Sequence, residues 1–190
     1  MMPTLFRACL FVWFAVMATA AQAADRTWVV DAAQSTIGFQ YLRDGDAAEG
    51  VFSEFSGAGQ FDPADPGKAV LSIMVETKSI DLYDGLVTAF ATSAEWFDSK
   101  NHPKLIYTLH QLTQISGDRY EALGAIEIRG QVKVLRSEIV LQIGEAMAVA
   151  IGQLELDRTD YLLGVGPMAA FVEIGEKVAV DFQIVATPGT

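Results

Sequence analysis

The sequence predicts an all-β domain, an eight-stranded antiparallel up-and-down barrel with one short helical insertion around residues 83–95. Three observations predict it. From Trp28 onward, apolar side chains alternate with period two in run after run, the pattern of a strand with one face buried. Turn residues separate the runs at hairpin spacing. About eight runs fit into the 167 residues from Ala24 to Thr190, the strand number at which a sheet can close and remove its exposed edges.

The chain opens on a segment that does not belong to the barrel. Residues 1–23 carry one positive side chain, Arg7, then an apolar stretch from Ala8 to Ala18, then small residues at Ala21 and Ala23. That is the layout of a cleaved secretory signal peptide, with cleavage expected after Ala23. The stretch is shorter than a membrane span and no comparable run follows, so stable membrane insertion is not expected. Cys9, the only cysteine, lies in the leader, which leaves residues 24–190 as a single thiol-free domain without disulfide or zinc–thiolate chemistry. Export together with an acidic, cysteine-free domain points to the bacterial periplasm.

The strand runs then follow in order. Ile37, Phe39 and Tyr41 share a face, as do Leu71, Ile73 and Val75. Leu105, Tyr107 and Leu109 alternate with Ile106, Thr108 and His110, and Ile126 and Ile128 alternate with Glu127 and Arg129. Ile139, Leu141 and Ile143 form the next face, and Val178, Val180, Phe182 and Ile184 the last, against Ala179, Asp181 and Gln183 on the wet side. Turns are expected at Asp44–Asp46, Asp62–Gly67, Ser116–Asp118, Gly144–Glu145 and Gly175–Glu176. Two stretches break the alternation. From Leu82 to Phe97 the apolar spacing becomes helical, ending before Asn101-His102-Pro103, and residues 158–167 read as a loop with one helical turn. Long runs such as Gln131 to Gly144 favour a barrel over an immunoglobulin-like sandwich.

Composition excludes several functions. The formal charge is −11, and loss of Arg7 with the leader makes it −12. Basic residues are scattered, so nucleic acid is not an expected partner, nor is an anionic membrane surface. No phosphate loop, dinucleotide fingerprint or Gly-x-Ser-x-Gly elbow occurs. His102 and His110 are the only histidines, and both read as structural or solvated. Asp157 and Asp160 are the spacing of an ordinary surface loop rather than a catalytic pair. The reading is therefore of a non-enzyme with no cofactor and no metal site.

The motifs resemble one family. Trp28-Val29-Val30-Asp31 with Ser35, Ile37 and Phe39 is similar to the opening of YceI-family proteins. Gly50-Val51-Phe52 with Phe55-Ser56-Gly57 resembles their second strand pair, and Lys78-Ser79-Ile80-Asp81 with Trp96-Phe97-Asp98 and His102-Pro103 their helical insertion. Gly124 to Lys133 and Leu156 to Tyr161 resemble two further family motifs. What the resemblance implies is a periplasmic, lipocalin-like barrel that holds a polyisoprenoid or an isoprenoid quinone, an amphiphilic lipid, for storage or transport. Where the family commonly has Arg-Asp-x-His-Leu, this chain has Tyr83-Asp84-Gly85-Leu86-Val87, keeping the Asp and lacking both basic groups.

The residues themselves support an apolar-lined barrel with room inside. Small residues at Ala122, Gly124, Ala148, Ala150 and Gly152 stand where bulky ones would fill the interior. The candidate lining is Phe39, Tyr41, Phe55, Ile73, Phe90, Trp96, Phe97, Tyr107, Ile126 and Phe182. Phe61 and Phe171 stand on the alternating runs with them, while Phe90, Trp96 and Phe97 belong to the insertion that could close one mouth. Every one of these rings could instead serve as plain core. Arg129, Lys133 and Arg158 are candidates for a polar head group or for surface pairing. A filled barrel acting as an interaction module, an enzyme on a small hydrophobic substrate, and a homodimer stay open as alternatives.

Overall fold

The computed structural model describes residues 26–62, 65–167 and 172–189. The leader, its cleavage site, Pro63, Ala64 and Phe171 lie outside the described residues. Among the described residues the strand segments are β1 (Arg26–Val30), β2 (Thr36–Arg43), β3 (Asp46–Phe52), β4 (Phe55–Phe61), β5 (Val70–Glu76), β6 (Ile80–Asp81), β7 (Lys104–Ser116), β8 (Arg119–Ile128), β9 (Gln131–Ile143), β10 (Ala148–Asp157) and β11 (Lys177–Pro188). The one α-helix among the described residues, α1 (Gly85–Ala91), sits between β6 and β7.

The eleven segments make eight staves, because the first three staves are each bent into two pieces. β1 and β2 are one stave, β3 and β4 the next, β5 and β6 the third. The ring runs β1-β4-β5-β7-β8-β9-β10-β11 and closes where β11 returns to β1, with Trp28 opposite Pro188 and Val30 opposite Ala186. Beyond the bends β2 continues on β11, β3 on β2 and β6 on β3. Every neighbour is antiparallel, the topology expected from the sequence.

The bends lie side by side and are stitched together by short polar side chains. At the first, Asp31 Oδ1 accepts from the Ala33 amide (3.0 Å) and caps the 3-10 turn Ala32–Gln34. Ser35 Oγ then takes the Val185 amide (2.9 Å), replacing the strand-to-strand bond that the bend interrupts. In the second and third, Ser53 Oγ donates to the Ser79 carbonyl (3.2 Å) and Ser79 Oγ to that of Glu76 (2.7 Å). Thr77, 0% exposed, donates through Oγ1 to the His102 carbonyl (2.8 Å) and through its amide to Pro103 (2.9 Å). These bonds supply partners to backbone groups that the bends take out of the ladder, as a buried bend requires.

Two hairpins use left-handed residue pairs, Asp44–Gly45 (φ 53° and 85°) and Arg129–Gly130 (φ 51° and 74°), the twist that matches tightly joined antiparallel strands. The barrel end carrying these two turns also carries α1 and the loop after β10. The opposite end carries Asp62, residues 65–69, the Gly117–Asp118 turn and the β9–β10 turn.

Polarity is sorted across the wall. Ion pairs Arg119–Glu138 (2.6 Å), Arg136–Glu121 (2.7 Å) and Lys177–Glu155 (3.4 Å) ride outside β8 to β11. The buried clusters, around Phe39, Phe52 and Ile73, around Leu109, Leu112 and Tyr120, and around Ile126, Ile128 and Tyr161, lie along the interior. Apolar within and charged without is the reverse of a membrane-spanning barrel. No helix among the described residues is long and apolar enough to cross a membrane.

Candidate functional site

The interior is hollow. A cavity of about 520 Å³ extends along the barrel, from Trp28, Phe61, Ala69 and Ala186 at one end to Leu86, Val87, Phe90 and Tyr41 at the other. Its walls are the faces that period-two alternation selects: Ile37-Phe39-Tyr41, Leu71-Ile73-Val75, Leu105-Tyr107-Leu109, Ile126-Ile128, Ile139-Leu141-Ile143 and Val178-Val180-Phe182-Ile184 all line it. Its size is within the range of small-molecule sites, about 300–1,000 Å³.

Nine of the ten candidate lining residues border this cavity: Phe39, Tyr41, Ile73, Phe90, Trp96, Phe97, Tyr107, Ile126 and Phe182. Phe55 does not. It is buried in the cluster with Phe39, Phe52 and Val75, and it borders a separate hollow with Ala32, Ser53 and Met74, where β3 bends into β4. The bend gives Phe55 other neighbours than its alternation suggests. Phe52, just before the bend, lines the cavity instead and packs on Phe39 (5.5 Å between ring centroids) and edge-on against Phe97 (5.8 Å).

Of the small residues, Ala122, Ala148 and Ala150 border the open space. The two glycines do not provide room. A Cβ on Gly152 would lie 2.6 Å from the Phe182 ring, and one on Gly124 would lie 2.6 Å from the ring of Tyr107. Each glycine accommodates an aromatic side chain from the neighbouring strand.

One end is built by the insertion. Asp84 caps α1, its Oδ1 accepting from the amides of Leu86 (3.0 Å) and Val87 (3.2 Å). This cap places Leu86, Val87, Phe90 and Ala91 on the cavity. Leu86 is nevertheless 82% exposed, so it belongs to both the lining and the rim. The turns after α1 carry Trp96, which packs on Phe90 (6.4 Å) and closes against Gly164 in the loop after β10.

Two arginines hold this end together, and neither serves as a free head-group ligand. Arg158 donates from Nε to the Gly175 carbonyl (3.0 Å), from Nη1 to those of Leu163 (2.6 Å) and Gly164 (3.1 Å), and from Nη2 to that of Ile174 (2.8 Å). Its guanidinium also lies 5.4 Å from the Trp96 ring centre. Burial pushes its pKa down, opposed by the carboxylates of Glu176 and Asp157. Arg129 donates to the carbonyls of Ala94 (2.6 Å), Glu95 and Leu162, tying the insertion to the same loop. Lys133 pairs with Asp160 at the surface (3.0 Å), the surface pairing that sequence reading allowed. Asp157 accepts from the Thr159 hydroxyl (2.6 Å) and amide (3.0 Å), which hold its carboxyl below the usual range.

The cavity's electrostatics are plain. Among the described residues, Arg158 is the one charged side chain in the lining. Burial pushes the phenols of Tyr107 and Tyr161 up to about 12, with Asp160 adding to the shift at Tyr161. Tyr41 is raised by burial too, with Arg43 opposing and Asp84 adding. The indole N–H of Trp96 is buried without an acceptor. His102 and His110 are outside the lining, and no group of His, Cys, Asp and Glu among the described residues could hold a metal ion. Sequence reading missed Arg158 as an interior residue, since nothing in its local pattern distinguishes a clamp from a surface cation.

A closed up-and-down barrel with an apolar hollow interior and a helix-bearing lid defines a lipocalin-like protein. The chain belongs to the YceI-like domain family, whose model matches residues 28–186. It is 25% identical over 134 residues to a UPF0312 protein of Pectobacterium atrosepticum, covering 66% of this chain and 69% of that one. Among solved structures it is similar to BcnA of Burkholderia cenocepacia, with a TM-score of 0.76, 24% identity and coverage of 83% of this chain and 99% of that one. A polyisoprenoid binding domain from Saccharophagus degradans aligns with a TM-score of 0.70 and 15% identity over 85% of this chain and 98% of that one. At these identities the two structures establish the shared fold.

Proposed function

We propose that this protein is an exported carrier that holds an isoprenoid lipid, of the polyisoprenoid or quinone type, in its barrel. The observation that carries the reading is the continuous apolar cavity of about 520 Å³, interrupted by a single charged side chain. An interior packed for stability alone would be filled, since each void costs contacts. A long prenyl chain replaces those contacts and needs few polar anchors, because each buried CH2 contributes about 0.8 kcal/mol. The Saccharophagus degradans neighbour, described as polyisoprenoid binding, supports the ligand class. The leader sequence supports export to the periplasm.

The hollow interior argues against a filled barrel serving only as an interaction module. The lining of the described residues holds no His, Asp, Glu or Lys from which an acid–base pair could be assembled, which favours a carrier over an enzyme.

Native mass spectrometry of protein purified from its own periplasm, followed by organic extraction, tests the reading. A stoichiometric prenyl lipid on a chain beginning at Ala24 is the expected result. A protein that carries nothing and takes up neither quinones nor polyprenols on titration would overturn it.

A further inference from the structure

We infer that the cavity selects isoprenoid lipids whose polar end is uncharged, a quinone ring or a free alcohol, and rejects the corresponding phosphates. This rests on the lipid-binding reading above and adds a head-group class to it.

An anion brought out of water into an apolar site needs a cation and hydrogen-bond donors in exchange. Inside the barrel the cation is Arg158, and four of its N–H···O contacts go to the carbonyls of Leu163, Gly164, Ile174 and Gly175. Trp96 lies across its face. A phosphate could recruit Arg158 only by dismantling the clamp that closes this end of the barrel.

Among the described side chains, neither rim offers a replacement. At the helix-bearing end, Arg43 stands two residues after the lining residue Tyr41 and bridges to the lining residue Ile174 through the backbone. It stands opposite Asp46 in the hairpin, beside Asp44, which is itself bonded to Glu173. Asp84 caps α1 at the same mouth. Four carboxylates share this rim with Arg43, while Arg129 is spent on the carbonyls of Ala94, Glu95 and Leu162 and Lys133 on Asp160, so the rim disfavours a phosphate. At the other end, Lys68 is held by Asp65 (2.7 Å) and Arg119 by Glu138 (2.6 Å).

What the wall does offer is neutral. The Trp96 indole N–H lacks an acceptor, and Gln60, Ser137, Tyr41 and Tyr107 border the cavity without charge. Such groups suit a carbonyl or hydroxyl oxygen and cannot offset the desolvation of a phosphate. At the position closest to solvent, the mouth presents Leu86.

The test is a pair of titrations followed by tryptophan fluorescence, using geranylgeraniol and geranylgeranyl monophosphate, which share one chain. Trp28 and Trp96 both line the cavity and report on its filling. The alcohol is expected to bind at least about 100-fold more tightly than the phosphate. In Leu86→Lys, at a position exposed enough to keep the fold, the ratio should shrink by about 10-fold. Equal or tighter binding of the phosphate overturns the selectivity while leaving the carrier reading standing. An unchanged ratio in Leu86→Lys overturns it as well, since charge would then not be the selector. If neither compound binds, it is the lipid-binding reading itself that falls.

Discussion

Phe182 lies across its cross-strand partner Gly152, so close that a Cβ on the glycine would stand 2.6 Å from the ring's Cζ. The same pairing recurs at Phe39 and Gly50, where the gap would again be 2.6 Å. In both pairs the ring covers backbone that has no side chain of its own. Gly152→Ala should destabilise the barrel by about 1–3 kcal/mol, the usual cost of forced overpacking. Gly152→Ala with Phe182→Leu should recover part of the loss, because the shorter side chain vacates the space. A double-mutant cycle by urea denaturation measures the coupling, and additive losses would show that the ring and the glycine do not interact.

The Arg158 clamp gives a second prediction. Arg158→Lys keeps the charge but cannot reach four carbonyls in a planar fan. Leaving such groups unsatisfied costs about 1–3 kcal/mol each, so a loss of about 3 kcal/mol is expected. Hydrogen exchange should speed up in residues 158–167 and 172–176 before it does so in β8 or β9. A lysine variant with wild-type stability would mean that the fan contributes little.

Filling the cavity should separate stability from binding. Ala150 faces the open space between Leu141 and Ile184, its cross-strand partners. Ala150→Phe adds a ring where a ligand chain would lie, so lipid uptake should fall by at least about 10-fold while Tm changes by only a few degrees. Isothermal titration with a short-chain quinone beside a thermal scan reads both quantities. Retained uptake would place the ligand elsewhere.

Alkaline pH should unfold the barrel by a route that starts at its tyrosines. Burial raises Tyr107 and Tyr161 from 10.0 to about 12, so these phenols stay protonated in the folded state when the unfolded chain has lost its protons. Their contribution is therefore whole below pH 10 and is lost as pH rises through 12, on the order of a few kcal/mol in total. Denaturation midpoints at pH 8, 10 and 11.5 should fall steadily. In Tyr107→Phe the fall should be shallower, and an unchanged slope would remove Tyr107 as a cause.

Much of this was readable from alternation alone. Ile37, Phe39 and Tyr41, or Val178 through Ile184, announce an inward face by their spacing, and the structure puts each of them on the cavity. Less readable were the three bent staves, since the residues that make the bends, Ser35, Ser53, Thr77 and Ser79, act through contacts with distant strands. That is why Phe55 reads as a lining residue and turns out to belong beside the bend. Alternation likewise shows which way Gly124 and Gly152 face but not that Tyr107 and Phe182 lean over them. Arg158 was legible as part of a motif and not as an interior clamp, because its partners are carbonyls, which no side-chain pattern encodes.

The seam of the ring has a consequence in time. The barrel closes where Val30 meets Ala186, so the strands that seal it come from opposite ends of the domain. During synthesis β1 has no partner on that side until β11 has been made, and the growing sheet carries two raw edges throughout. The hairpins from β7 to β10 can form locally and early, whereas the seal awaits the longest loop closure in the molecule. The twelve residues of β11 therefore act as the zip of the whole container, and until they dock there is no enclosed interior in which anything could be held.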